Sequence, residues 1–398
     1  MSDEAPTTYL YKTGEHSMKD LYLIPFFLLL LAGCSSEQLV PQPAARRTVL
    51  IYLAGDNNLS GEVAEKIERI TSGWHNRQDN LLIYQDSKDE SNPPSLLQVV
   101  GDAVYPSCRV VRVYPEGNSA STEAFGQVIK EVLTDFPAND YGLVIFSHGT
   151  GWLPEGLYSQ PRSEENASRS VLNDNGSEME ITDFASLIPD HRFQFIVFEA
   201  CLMAGVEVAY ELRNKADYLV ASSAEILSPG FTSIYPSVIN DLFVQPVADL
   251  TGLACRYYAY CNSREGQHRS GTVSVIRLDR METLARVMQP VSALQVAVDT
   301  DNIQCFDRSS NRLFFDLGDY VRYKTTAAAT QTAAGLLEQV YAALTEVVVY
   351  EASTPFFVDL PIRSHSGLTV YIQQPDYPAL NTAYQQLAWY KKQTEQIK

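Results

Sequence analysis

A histidine and a cysteine in this 398-residue chain each follow an apolar run of strand length. His148 stands in Ser147-His148-Gly149-Thr150-Gly151-Trp152, after Tyr141–Phe146. Cys201 stands in Glu199-Ala200-Cys201-Leu202-Met203, after Phe193–Phe198. A thiol becomes a strong nucleophile once ionised, and a neighbouring imidazole favours the thiolate. Such a pair can attack a carbonyl carbon and return the proton to the leaving group. Glycine after the histidine lets the backbone come close, so the N–H groups of Gly149 and Cys201 could together face the developing oxyanion. Each residue alone also fits a plainer role, a core cysteine or a loop histidine. The residues by themselves leave both readings open.

The elements that must bring the two together are legible in the pattern. Thr48–Leu53 reads as a buried strand, ending in the turn cluster Ala54-Gly55-Asp56-Asn57-Asn58. A helix follows with Val63, Ile67 and Ile70 on one face and Ser60 placed to cap it. Leu81–Tyr84 is a second strand, and Leu96–Val100 with Arg109–Tyr114 reads as a hairpin. Thr122 to Phe136 has helical period, and Tyr218–Ser222 is a further strand after a helix over 203–214. Strands alternating with helices predict an α/β fold, a mostly parallel sheet covered on both faces. Such sheets place their sites at the carboxy ends of strands, where His148, Cys201 and the Asp56–Asn58 turn all fall. The expected main domain spans 47–245. Residues 246–398 read as mainly helical additions packed on it, with helices over 247–262, 281–298, 312–323 and 327–347. A strand over Thr272–Arg277 and short strands near 347–351 and 367–373 interrupt them.

Composition narrows the class. A formal net charge of -18 excludes a nucleic-acid partner, since no basic stripe is present to displace phosphate counterions. No Cys-x-x-Cys pair and no zinc-like spacing occurs among the six cysteines, and no EF-hand-like loop is found, so no metal or cofactor is expected from the residues. Cys108, Cys255, Cys261 and Cys305 are expected as buried free thiols, although pairing among them is not fixed by sequence. A monomer is expected.

The amino terminus reads as an address. Residues 24–32 are apolar, too few to span a bilayer, and end in Leu31-Ala32-Gly33-Cys34-Ser35-Ser36, which resembles a bacterial lipobox. Residues 1–33 are then a signal peptide, with Met18 the more natural start, and 34–46 a tether lipidated on Cys34. This implies attachment outside the cytoplasm, at the bacterial cell envelope.

Three motifs in order, Tyr-Leu-Ala-Gly-Asp-Asn-Asn-Leu over 52–59, Ser-His-Gly-Thr-Gly-Trp over 147–152 and Glu-Ala-Cys-Leu-Met over 199–203, resemble the clostripain family of cysteine peptidases. Ala224-Glu225 followed by Pro229-Gly230 resembles its next landmark. The resemblance covers about 47–245 and implies a caspase-like three-layer sandwich. His148 and Cys201 would form a dyad that cleaves polypeptides through a thioester. It also implies a preference for Arg or Lys before the scissile bond, held by an acid two residues before the cysteine. That acid is Glu199 here, where the family usually has Asp, and the extra methylene shifts the preference towards Lys. Glu225 is a second candidate for the substrate pocket, and Trp152 a candidate wall of the cleft. Relatives often cleave themselves between the histidine and cysteine segments; Arg162 and Arg169, in the polar stretch 154–180, are the candidate positions. Calcium stimulates some relatives and is left open. The competing readings are an inactive caspase-like binding lipoprotein and a transpeptidase, in which an amine takes the thioester in place of water.

Overall fold

A computed structural model describes residues 45–395, apart from 77, 90, 102–103, 155–170, 175–176 and 309–310. Cys34, Arg162, Arg169 and the leader and tether lie outside the described residues.

The central sheet has nine strands. In chain order they are β1 (Ala45–Gly55), β2 (Asn80–Ser87), β3 (Ser95–Val100), β4 (Ser107–Val113), β5 (Ala138–Phe146), β6 (Phe193–Glu199), β7 (Ala216–Ala221), β8 (Thr272–Arg277) and β9 (Val348–Ser353). Their spatial order is β9-β8-β7-β6-β5-β1-β2-β3-β4. The inner five, β7-β6-β5-β1-β2, run parallel. Antiparallel pairs extend the sheet on either side, the β3–β4 hairpin at one edge and β8–β9 at the other. The sheet thus takes its last two strands from beyond residue 245.

Alternation along the inner strands fills two cores. Leu50, Tyr52 and Ala54 of β1 join Leu143 and Ile145 of β5 and Ile196 and Phe198 of β6 on one face. Val49, Ile51 and Leu53 join Val144, Phe146, Phe195 and Val197 on the other. Helix α1 (Ser60–Gly73) seals the second face with Val63 and Ile70, and α2 (Thr122–Asp135) seals the first with Phe125, Val128, Ile129 and Val132. Three layers result, helices on both sides of a twisted parallel centre.

Several boundaries differ from the sequence pattern for local reasons. Ser60 does not cap α1; Leu59 holds that position, and the Ser60 hydroxyl accepts the Lys88 N–H instead. The helix expected over 203–214 is only Val206–Glu211, because 201–205 form a turn in which Leu202 has φ +62°. The helix expected over 281–298 ends at Ser292, with Pro290 inside its last turn.

Candidate active site

The parallel register sets the site. Phe146 pairs with Glu199, so His148 and Cys201 each stand two residues past matched positions on adjacent strands. Strand order reverses between β1 and β5, the place where open α/β sheets form their crevices. The two turns interlock through glycine. A β-carbon on Gly149 would meet the Cys201 carbonyl oxygen at 2.9 Å, and one on Gly151 would meet the Leu202 carbonyl oxygen at 2.8 Å. Gly151 also has φ +64°, a conformation that favours glycine. The spacing Gly-x-Gly after His148 therefore fits the Cys201 turn against the histidine loop.

His148 and Cys201 are not bonded to one another in this state. The His148 Nε2 contacts Asn58 Oδ1, contributed by the turn after β1. That turn is itself anchored: Asn57 donates to the Asn173 carbonyl at 2.8 Å, and its Oδ1 accepts the Leu59 N–H at 2.8 Å. The Cys201 Sγ accepts the Ile226 N–H at 3.3 Å and lies 3.9 Å from the Ile226 carbonyl oxygen. Burial pushes the Cys201 thiol up to about 11, a shift the Ile226 N–H only partly offsets. Burial likewise draws His148 below the usual imidazole range, while the Glu62 carboxylate pulls the other way. Each shift favours the uncharged form of its group.

Both face a cleft of about 260 Å3 that is also lined by Glu62, Glu199, Glu225 and Arg308. Of the acids expected there, Glu225 is ion-paired, its Oε2 accepting from Arg308 Nε at 2.7 Å. Glu199, the acid expected to hold the substrate side chain, lines the cleft but is already paired, its side chain 0% exposed. Oε1 accepts from Lys66 Nζ at 2.6 Å and from the Phe231 N–H at 2.6 Å, and Oε2 accepts from the Tyr235 hydroxyl at 2.6 Å. Lys66 completes the cluster by donating to Thr232 Oγ1 and the Pro229 carbonyl and by lying 4.2 Å over the Phe146 ring. The pair pins the 229–232 turn to α1 and β6.

Trp152 needs correction. It is 1% exposed, does not line the cleft, and packs into the core against Tyr371 and Tyr384, at 5.1 and 5.3 Å between ring centres. Sequence reasoning missed Asn58 as the partner of His148, and missed Glu62, Lys66, Ile226 and Arg308 altogether. Lys66 did carry a signal, since positions 63, 66 and 70 form one stripe and a lysine on that inward stripe asks for a buried counter-ion.

Cys108, Cys201, Cys255, Cys261 and Cys305 are all free thiols, but of the four expected to be buried only Cys261 and Cys305 are; Cys108 is half-buried and Cys255 exposed. Among the described residues, no cluster of three His, Cys, Asp or Glu could hold a metal ion, and no helix is long and apolar enough to cross a membrane. A larger cavity, of about 1200 Å3, opens between the helix Met281–Ser292 and the carboxy-terminal helix, away from His148 and Cys201.

Comparison with known proteins agrees with this architecture. A family model described as the Clostripain family matches residues 51–391. Clostripain from Hathewaya histolytica is 26% identical over 222 residues, 46% of this chain and 40% of that protein. The chain thus spans well under half the length of that curated relative. Among solved structures, an inactive zymogen of a C11 protease from Parabacteroides distasonis is 34% identical, with TM-score 0.75, over 89% of this chain and 99% of the other. A secreted C11 cysteine protease from Bacteroides thetaiotaomicron, in complex with an irreversible peptide inhibitor, is 27% identical, with TM-score 0.73, over 88% and 99%. The layered sheet, with a histidine and a cysteine at adjacent strand ends, is the caspase-like architecture of cysteine peptidases. Within that class, the chain belongs to the clostripain family.

Proposed function

We propose that the chain is a cysteine endopeptidase that cleaves after Lys or Arg, with Cys201 as nucleophile and His148 as proton carrier. The observation that carries this reading is the placement of both side chains on one cleft, at register-matched ends of adjacent parallel strands. In the reaction the Cys201 thiolate attacks the scissile carbonyl carbon, His148 having taken the thiol proton. The tetrahedral oxyanion collapses to a thioester as His148 protonates the leaving amine, and water then hydrolyses the thioester. The N–H groups of Gly149 and Cys201 are assigned to the oxyanion. In support, no acceptor takes either N–H among the described residues. Losing one such donor costs about 3–4 kcal/mol in other enzymes.

A basic substrate side chain is supported by the charge of the cleft. Glu62, Glu199 and Glu225 stand against Lys66 and Arg308, leaving one negative charge with His148 neutral. We assign the state described above to an unactivated enzyme, in keeping with the neutral thiol and with a zymogen among the similar structures. Cleavage at Arg162 or Arg169 is the proposed activating event. The lipobox-like segment assigns the protein to the cell envelope through a lipid on Cys34.

The test is hydrolysis of fluorogenic peptides ending in Arg, Lys, Ala or Asp by the chain and its Cys201→Ala variant, before and after limited trypsin treatment. Cleavage after Lys or Arg that vanishes in the variant is expected. Turnover that survives in Cys201→Ala overturns the assignment of the nucleophile.

A further inference from the structure

We propose that Glu62, in the first turn of α1, is the carboxylate that reads the basic side chain of the substrate. The proposal rests on the peptidase reading above and names the residue that would confer its selectivity. Three carboxylates line the cleft, and two are already committed. Glu199 is sealed from solvent and bonded by Lys66, Phe231 and Tyr235. Glu225 is matched by Arg308, whose guanidinium lines the same cleft, so that pair adds no net charge.

Glu62 differs from both. Its side chain is 22% exposed, and its described partner is Lys66 Nζ at 3.7 Å, beyond hydrogen-bond reach. An ammonium has three N–H groups. Those of Lys66 are used on Glu199, Thr232 and Pro229, at 2.6, 2.7 and 3.1 Å, which leaves none for Glu62. Cancelling Lys66 against Glu199 and Arg308 against Glu225 leaves Glu62 as the uncompensated charge of the cleft. It also acts on His148 from the same wall. A Lys or Arg side chain entering beside Cys201 would therefore find its anion on the helix, not at the strand end two residues before the cysteine.

A carboxylate in the first turn of a helix also favours the helix dipole, which would explain Glu62 without any substrate. The experiment separates the two roles. Wild type, Glu62→Gln, Glu62→Asp and Glu199→Gln are compared on peptides ending in Lys, Arg and the uncharged isostere norleucine, with thermal melts alongside. In parallel, binding of product peptides ending in Lys or norleucine is followed by calorimetry with each change placed in the Cys201→Ala chain, which needs no turnover. Glu62→Gln is expected to lower the Lys-to-norleucine ratio about 10–100-fold, through KM and through affinity, with partial recovery in Glu62→Asp. Glu199→Gln is expected to lower the melting temperature more than that ratio. Equal losses for all peptides in Glu62→Gln, or a ratio that falls only in Glu199→Gln, overturn the proposal. A wild-type preference for Lys or Arg that Glu62→Gln leaves intact defeats this proposal alone. A wild type that prefers uncharged or acidic peptides defeats the basic-cleavage reading with it.

Discussion

Gly149 and Cys201 meet backbone to backbone, with room for a hydrogen but not for a methyl group. A β-carbon at 149 would lie 2.9 Å from the Cys201 carbonyl oxygen, 3.1 Å from the Ala200 Cβ and 3.1 Å from the Met203 Sδ. Gly149→Ala must push the His148 loop away from the Cys201 turn. Overpacking of this kind costs about 1–3 kcal/mol of stability. Because the displaced N–H groups are those assigned to the oxyanion, peptide hydrolysis is expected to fall at least ~100-fold. Kinetics and melts on the one variant check both; near-normal turnover would remove Gly149 from the site.

Lys66 and Glu199 are expected to behave as one unit. Lys66→Met leaves a carboxylate buried without its cation, and breaking a buried pair in this way costs about 3–5 kcal/mol. The double change Lys66→Met with Glu199→Gln removes both charges and should recover much of that loss. Urea denaturation of the two variants measures it. A single variant as stable as the double one would mean that water already reaches the pair.

Alkylation of Cys201 should climb steeply with pH in the untreated chain. Its thiol is pushed up to about 11 by burial, so the reactive thiolate is scarce at neutral pH and grows tenfold per pH unit. Iodoacetamide labelling followed by peptide mass spectrometry gives the profile. A plateau below pH 8 would show that the imidazole already ionises the thiol.

Asp86 gives a pH-dependent stability. Burial first, and the Asp174 carboxylate second, push it up to about 7. The unfolded value is near 4, so between about pH 4 and 7 the folded chain holds a proton that the unfolded chain releases. Its contribution favours folding at low pH and is lost as pH rises through 7. The Asp86 Oδ2 has no hydrogen-bond partner among the described residues, and an amide is isosteric with the carboxyl group. Asp86→Asn should raise the melting temperature at pH 8 and lose most of that advantage by pH 4. An equal gain at both pH values would rule out titration as the cause.

Trp152 should matter for folding and not for substrate. Its ring is buried against Tyr371 and Tyr384, and its Nε1–H has no hydrogen-bond partner among the described residues. Trp152→Phe keeps most of the packing and should leave KM unchanged. Trp152→Ala should cost about 3–5 kcal/mol. A KM effect in the phenylalanine variant at unchanged stability would put the ring back in the cleft.

The parallel centre was readable because β1, β5 and β6 are continuous apolar runs, and that alone brings His148 and Cys201 to one rim. What closed over them was not. Ile226, which grips the sulfur, belongs to a loop that no periodicity marks. Asn58 reaches His148 from 90 residues away through a turn whose side-chain direction depends on Asn57 and its bond to Asn173. The chain position of Glu199 resembles that of a substrate acid, but its pairing depends on a lysine 133 residues earlier. Charges at a strand end can be located from sequence; whether they are already neutralised is decided by tertiary pairing.

The burial that keeps the Cys201 thiol protonated has a further consequence for the lifetime of the protein. Peroxide and disulfide exchange consume the thiolate, not the thiol. A Cys201 sulfur kept protonated is therefore slow to oxidise, so the nucleophile can wait in an oxidising medium until its surroundings change.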